Sequence, residues 1–140
     1  MGSTSIQFGQ PKHGWLDVSL QSPDGRNQFL ASHTPDDSLT QLANAGLAVS
    51  VGHPGTVRWS LEPEYEFWTI GVSASGATLI TSEFSITGQP IEIAAIIMRG
   101  LADLESRWPE GSSSEHWCHE FPSRELQDLK AKVRLFRSIT

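Results

Sequence analysis

The chain has 140 residues, 38% of them hydrophobic and 19% charged, with one cysteine and a formal net charge of −6. That size and balance suit one globular domain with its own core and exclude a disordered chain. A single cysteine excludes an internal disulfide, and the acidic charge disfavours a phosphate backbone, so nucleic acid is not an expected partner.

The charge is uneven. Residues 1–121 hold 5 Lys/Arg against 14 Asp/Glu, whereas residues 122–140 hold 5 against 2. Basic residues at that spacing read as the solvated face of a terminal helix. No basic, apolar, small-residue leader opens the chain, and no apolar run reaches the length of a membrane span. A cytoplasmic protein without membrane contact is the expectation, and no cofactor is expected.

Residues 1–14 carry Gly9, Pro11 and Gly14 without periodicity and read as an irregular lead-in to a single domain over 15–140. Trp15 to Ser22 alternates, with Leu16, Val18 and Leu20 on one face, as a half-buried strand does. Pro23-Asp24-Gly25 reads as a three-residue hairpin loop that pairs Ser22 with Arg26 and Val18 with Leu30. Thr34 as cap, Pro35 at the first helical position and the acids Asp36 and Asp37 predict a helix start. Leu39, Leu42, Ala43, Gly46 and Leu47 give its stripe, and it should stop near Ser50.

Val57 to Ile86 reads as three antiparallel strands. Glu62-Pro63-Glu64-Tyr65 makes a four-residue loop around a type I turn, setting Trp59 opposite Trp68 and Val57 opposite Ile70. Ala74-Ser75-Gly76 makes the second turn and sets Ile70 opposite Ile80. The core face then collects Val57, Trp59, Leu61, Trp68, Ile70, Val72, Ile80, Phe84 and Ile86. The outer face collects Arg58, Ser60 and Thr69, with Tyr65, Phe67 and Leu79 among them, either as a binding patch or beneath the N-terminal segment. A one-residue slip would turn each set to the other face.

Gly88-Gln89-Pro90 opens a helix to Trp108 that is apolar on most sides, suited to lie on the sheet and to touch a second subunit. A homodimer through helix 90–108 is one expected association. A last helix starts at Pro122, with Ser123 as cap and Leu126, Leu129, Val133 and Phe136 as stripe. The expected fold is α+β: a two-layer sandwich in ββαβββαα order, with a five-stranded antiparallel sheet and helices packed on one face.

Three constellations bear on chemistry. His116, Cys118 and His119 combine imidazole and thiol at short spacing, as zinc ligands do, but a closed site would need His13, His33 or His53 as well. The plainer reading is that Trp117 and Phe121 seat this segment on the core. Cys118 as a nucleophile would need a base in reach, and no cysteine-hydrolase motif surrounds it. Glu62, Glu64 and Glu66 alternate, with the first two on a loop and Glu66 turned to the core face. Carboxylates at a hairpin tip repel one another unless something cationic meets them. There is no phosphate-binding glycine loop, nucleophile elbow or His-Glu-x-x-His motif. The leading expectation is a non-catalytic protein-interaction module that meets a basic partner through Glu62, Glu64, Tyr65 and Phe67, a bacterial immunity or antitoxin-like inhibitor being one concrete form. The alternative is a metal-dependent or small-molecule-binding enzyme using His116, Cys118 and His119.

Overall fold

In the computed structural model, which describes residues 4–109 and 117–139, the apolar alternation folds into one antiparallel meander. Its strands are β1 (Ser5–Phe8), β2 (Trp15–Ser22), β3 (Gly25–Ser32), β4 (Gly55–Ser60), β5 (Tyr65–Ser73), β6 (Gly76–Ile80) and β7 (Ser85–Gly88). The helices are α1 (Ser38–Ser50), α2 (Pro90–Ser106) and α3 (Ser123–Ile139). The fold is α+β, but the sheet has seven strands among the described residues rather than five, in sequential order β1 to β7. The element order is therefore βββαββββαα and not ββαβββαα.

Both additional strands have a local cause. Ser5–Phe8, inside the stretch expected to be irregular, pairs with β2 and buries Ile6 and Phe8. Four residues are too few to show a period beside Gly9 and Pro11. The second comes from a break in the last strand of the Val57–Ile86 stretch. There the Thr81 hydroxyl oxygen accepts from the backbone N–H of Glu83 and Phe84, and the Thr81 N–H donates to the Phe84 carbonyl. Thr81 folds the chain back on itself, as short hydroxyl side chains do at turns, and one expected strand becomes β6 and β7.

Two hairpins are one residue tighter than expected. Ser22 pairs with Gly25, and Ser73 pairs with Gly76. In both, the glycine is the first residue of the returning strand instead of the last residue of the turn. The consequence is largest on β6, where the slip reverses the faces: Leu79 is buried and Ile80 is exposed. The β4–β5 hairpin shifts by two residues, with Trp59 opposite Glu66 and Val57 opposite Trp68. An even shift preserves the faces, so Trp59 and Trp68 still meet edge to face, ring centroids 5.2 Å apart.

β3 and β4 share a single ladder pair, Ser32 with Ser60. Beyond it the sheet parts into β1–β3 and β4–β7. α1 fills the opening beside β4. The Ser38 hydroxyl donates to the Arg58 carbonyl, and the Arg58 N–H donates to Gln41 Oε1 at 2.8 Å. Farther along, a Cβ on Gly55 would lie 3.0 Å from the Ala45 backbone, so any larger residue there would have to push helix and strand apart. α1 starts later than expected because Thr34 instead donates its N–H to Ser32 Oγ, and Asp37 is the residue that caps, accepting from the Thr40 N–H.

The two sheet halves are also joined through the core. Phe29 of β3 packs on Trp59 and Trp68, and the Trp68 indole N–H donates to Asn27 Oδ1 at 2.8 Å. α2 starts with a reciprocal Gln89–Glu92 capping box and buries Ile93, Ile96, Ile97, Leu101 and Leu104. It lies on β1, β6 and β7, and α3 rests chiefly on α1 and α2.

The outer edge of β1 is partly shielded by α2 and by Arg107 just beyond it. Arg107 donates to the Phe8 carbonyl at 2.8 Å, and a Cβ on Gly100 would sit 2.9 Å from the Ile6 carbonyl oxygen. Shielding an edge in this way hinders sheet-to-sheet pairing. Gly100→Ala is expected to destabilise. The helix gains roughly 1 kcal/mol from losing a glycine, but the clash is with strand backbone, and overpacking costs about 1–3 kcal/mol. Chemical denaturation checks the sign; a variant more stable than the parent would show that β1 yields freely.

Candidate functional site

The most exposed aromatic surface lies on the outer face of β5. Tyr65 and Phe67 alternate there, 39% and 51% exposed, with ring centroids 6.2 Å apart. The described N-terminal residues do not cover them, because Ser5–Phe8 extends the sheet beyond β2. Arg58 stands opposite Phe67 on β4, and its guanidinium carbon sits 4.5 Å from the centre of the Tyr65 ring. Ile80, 49% exposed, continues the patch on β6 beside Thr69.

Arg58 is held in place. Its Nε and Nη2 donate to the two carboxylate oxygens of Asp36, each at 2.9 Å. The Asp36 hydrogen bond holds the Arg58 pKa above its ordinary value. A two-pronged pair of this kind fixes orientation as well as charge. Ser38 and Gln41 bind the Arg58 backbone from the same side. The segment leading into α1 therefore fixes both the main chain and the side chain of one residue on the open sheet face.

Glu62, Pro63 and Glu64 form the exposed tip between β4 and β5. The tip closes with the Leu61 N–H donating to the Glu64 carbonyl at 2.7 Å, and Glu62 has φ of 46°. Neither Glu62 nor Glu64 has an ion-pair partner among the described residues. The four residues expected to meet a partner thus lie on one hairpin: two carboxylates at the tip and two rings on the face beside it.

The histidine and cysteine residues form a second cluster. His116 lies outside the described residues. Cys118 and His119 meet His33, from the segment after β3. The Cys118 N–H donates to His33 Nδ1 at 3.0 Å, and the thiol donates to the His33 carbonyl at 3.5 Å. His119 Nε2 donates to the same carbonyl at 2.8 Å, with its Nδ1 4.0 Å from Asp37. Trp117, fully buried, packs near the His33 ring. His33 Nδ1 is occupied by a backbone N–H and the thiol points at a carbonyl, so in this arrangement neither imidazole is placed to deprotonate Cys118. No group of three or more His, Cys, Asp or Glu among the described residues is arranged to hold a metal ion.

No family model, no curated protein and no solved structure matches this chain. The functional reading therefore stands on geometry alone. No helix among the described residues is long and apolar enough to cross a membrane.

Sequence reasoning missed one residue of these sites and left another among three candidates. In the sequence Asp36 is an acid suited to the helix dipole, and nothing at a separation of 22 residues marks it as the partner of Arg58. His33 was named among the distant histidines, and only the folded chain singles it out.

Proposed function

We propose that this chain is a non-catalytic interaction protein that binds a basic protein partner through the β4–β5 hairpin, in the manner of an immunity or antitoxin-like inhibitor. The observation that carries the reading is the surface of that hairpin. Tyr65 and Phe67 are exposed on the sheet, Arg58 is clamped beside them, and Glu62 and Glu64 extend from the tip without ion-pair partners among the described residues. Aromatic residues and arginine are the types that anchor interfaces. The net charge of −6 favours encounter with a basic surface. The single thiol fits a reducing, cytoplasmic setting.

The test is capture of a partner from the source cell by the intact chain and by two double variants. Glu62→Lys with Glu64→Lys is expected to slow association, with the deficit shrinking as salt rises. Tyr65→Ala with Phe67→Ala is expected to weaken the same complex at least tenfold. A partner retained equally by parent and both variants, or no partner at all, overturns the reading.

The alternative enzyme reading rests on the approach of His33 to Cys118 and His119, a cluster in which the described residues are not arranged to hold a metal ion. Stoichiometric zinc, copper or iron in protein purified without an affinity tag would favour it over the interaction reading.

A further inference from the structure

Where β3 and β4 part, a cleft of about 420 Å³ opens between the two halves of the sheet. Arg26, Asn27, Gln28 and Phe29 line one side, and Leu61, Glu66, Ser82 and Glu83 line the other. Its size is within the range of small-ligand sites. Glu66 is the unusual member. It projects from β5 opposite Trp59, only 7% exposed. Its Oε1 accepts from the Ser82 hydroxyl at 2.7 Å, and its Oε2 accepts from the Ser82 N–H at 3.0 Å. Both donors are neutral and come from one residue. No cation pairs with Glu66 among the described residues.

A buried carboxylate is costly unless it is paired. The two hydrogen bonds from Ser82 satisfy part of the carboxylate and bring no opposite charge to it. Each carboxylate oxygen has capacity for a further hydrogen bond. The cleft wall adds an aromatic side chain, Phe29, on which a planar cation can stack. Glu83 adds a second negative charge, and among the described residues the one cation in the lining is Arg26. The acidic tip of Glu62 and Glu64 belongs to the same hairpin as Glu66.

We propose that this cleft is a receptor for a guanidinium side chain, with Glu66 as its counter-ion. An arginine of the basic partner then enters between the sheet halves while the partner's apolar surface covers Tyr65 and Phe67 outside. The assignment of that arginine to a protein partner rests on the interaction reading above; the cation site itself is tested without any partner.

The probe is N-acetyl-arginine amide, titrated into the isotopically labelled chain, with N-acetyl-alanine amide as control. Two signals report from the cleft: the Ser82 amide, bound to Glu66, and the Trp68 indole N–H, bound to Asn27. The arginine probe is expected to shift both in a saturable manner, and the alanine probe neither. Glu66→Gln keeps an acceptor for Ser82 but removes the charge, and should weaken the probe at least tenfold. Arg26→Ser removes the competing cation and should tighten it severalfold. No saturable shift in the parent, undiminished binding in Glu66→Gln, or weaker binding in Arg26→Ser each overturns the proposal. Tyr65→Ala with Phe67→Ala should leave the probe's affinity unchanged, so a failure of the outer-face reading and a failure of this one are separately visible.

Discussion

Trp68→Ala is expected to destabilise the chain by about 3–5 kcal/mol, the range for removing a large aromatic side chain from a core. Trp68 is fully buried between Trp59 and Phe29 and donates its indole N–H to Asn27. Losing the ring opens a cavity at the centre of the β4–β7 half. It also leaves Asn27, itself buried, without that donor, at a further cost on the order of 1 kcal/mol. Against a total stability of roughly 5–15 kcal/mol, this can remove most of the folded population at 37 °C. Trp68→Phe keeps most of the area and loses the hydrogen bond, so it should cost about 1–3 kcal/mol. Urea unfolding followed by far-ultraviolet circular dichroism measures both without relying on the removed fluorophore. A cost below about 1 kcal/mol for the alanine variant would contradict the packing described.

Trp117→Ala is the second large effect, again about 3–5 kcal/mol. Trp117, in the segment between α2 and α3, is fully buried. Its neighbours Cys118 and His119 are hydrogen-bonded to His33. The variant should therefore also lose exchange protection at the Cys118 amide, which donates to His33 Nδ1. His33→Ala removes that acceptor while leaving Trp117 in place, and should cost only about 1–2 kcal/mol. If Trp117→Ala left the Cys118 amide protected, the segment would be held by something other than its tryptophan.

The class of fold was legible because long elements carry their period in many residues. α2 and the β4–β5 hairpin each offer several turns or alternations, and the core tryptophans fall where the alternation puts them. Short elements do not average in this way. β1 and β7 have four residues each, and whether Thr81 continues a strand or folds it back depends on its own hydroxyl. Turn length was illegible for a related reason. Glycine after proline-aspartate or alanine-serine suits both a turn and a strand start, and the structure chose the second at Gly25 and Gly76. That single residue decides which of Leu79 and Ile80 faces the core.

For the site, the residue types on the outer face were legible and their fixation was not. Tyr65 and Phe67 follow from alternation alone. The Asp36 clamp on Arg58 requires α1 to lie beside β4, which follows from β3 leaving its neighbour after one pair. Glu66 was legible as an inward-facing carboxylate. Its lack of a cation is a property of three-dimensional surroundings, and no spacing in the sequence encodes it.

The parting of the sheet also orders the assembly of the chain. β1–β3 and β4–β7 are each contiguous in sequence, and each closes through short hairpins, so most strand pairing involves near neighbours along the chain. Such local contacts form early and at little entropic cost. The distant closures are made outside the strand ladders, where α1, α2 and α3 pack together and α2 meets β1, and where Arg107 reaches the Phe8 carbonyl across 99 residues. Two half-sheets built from local hairpins still have to dock through α1 and a shared aromatic core, so those long-range steps are expected to set the folding rate of this α+β chain.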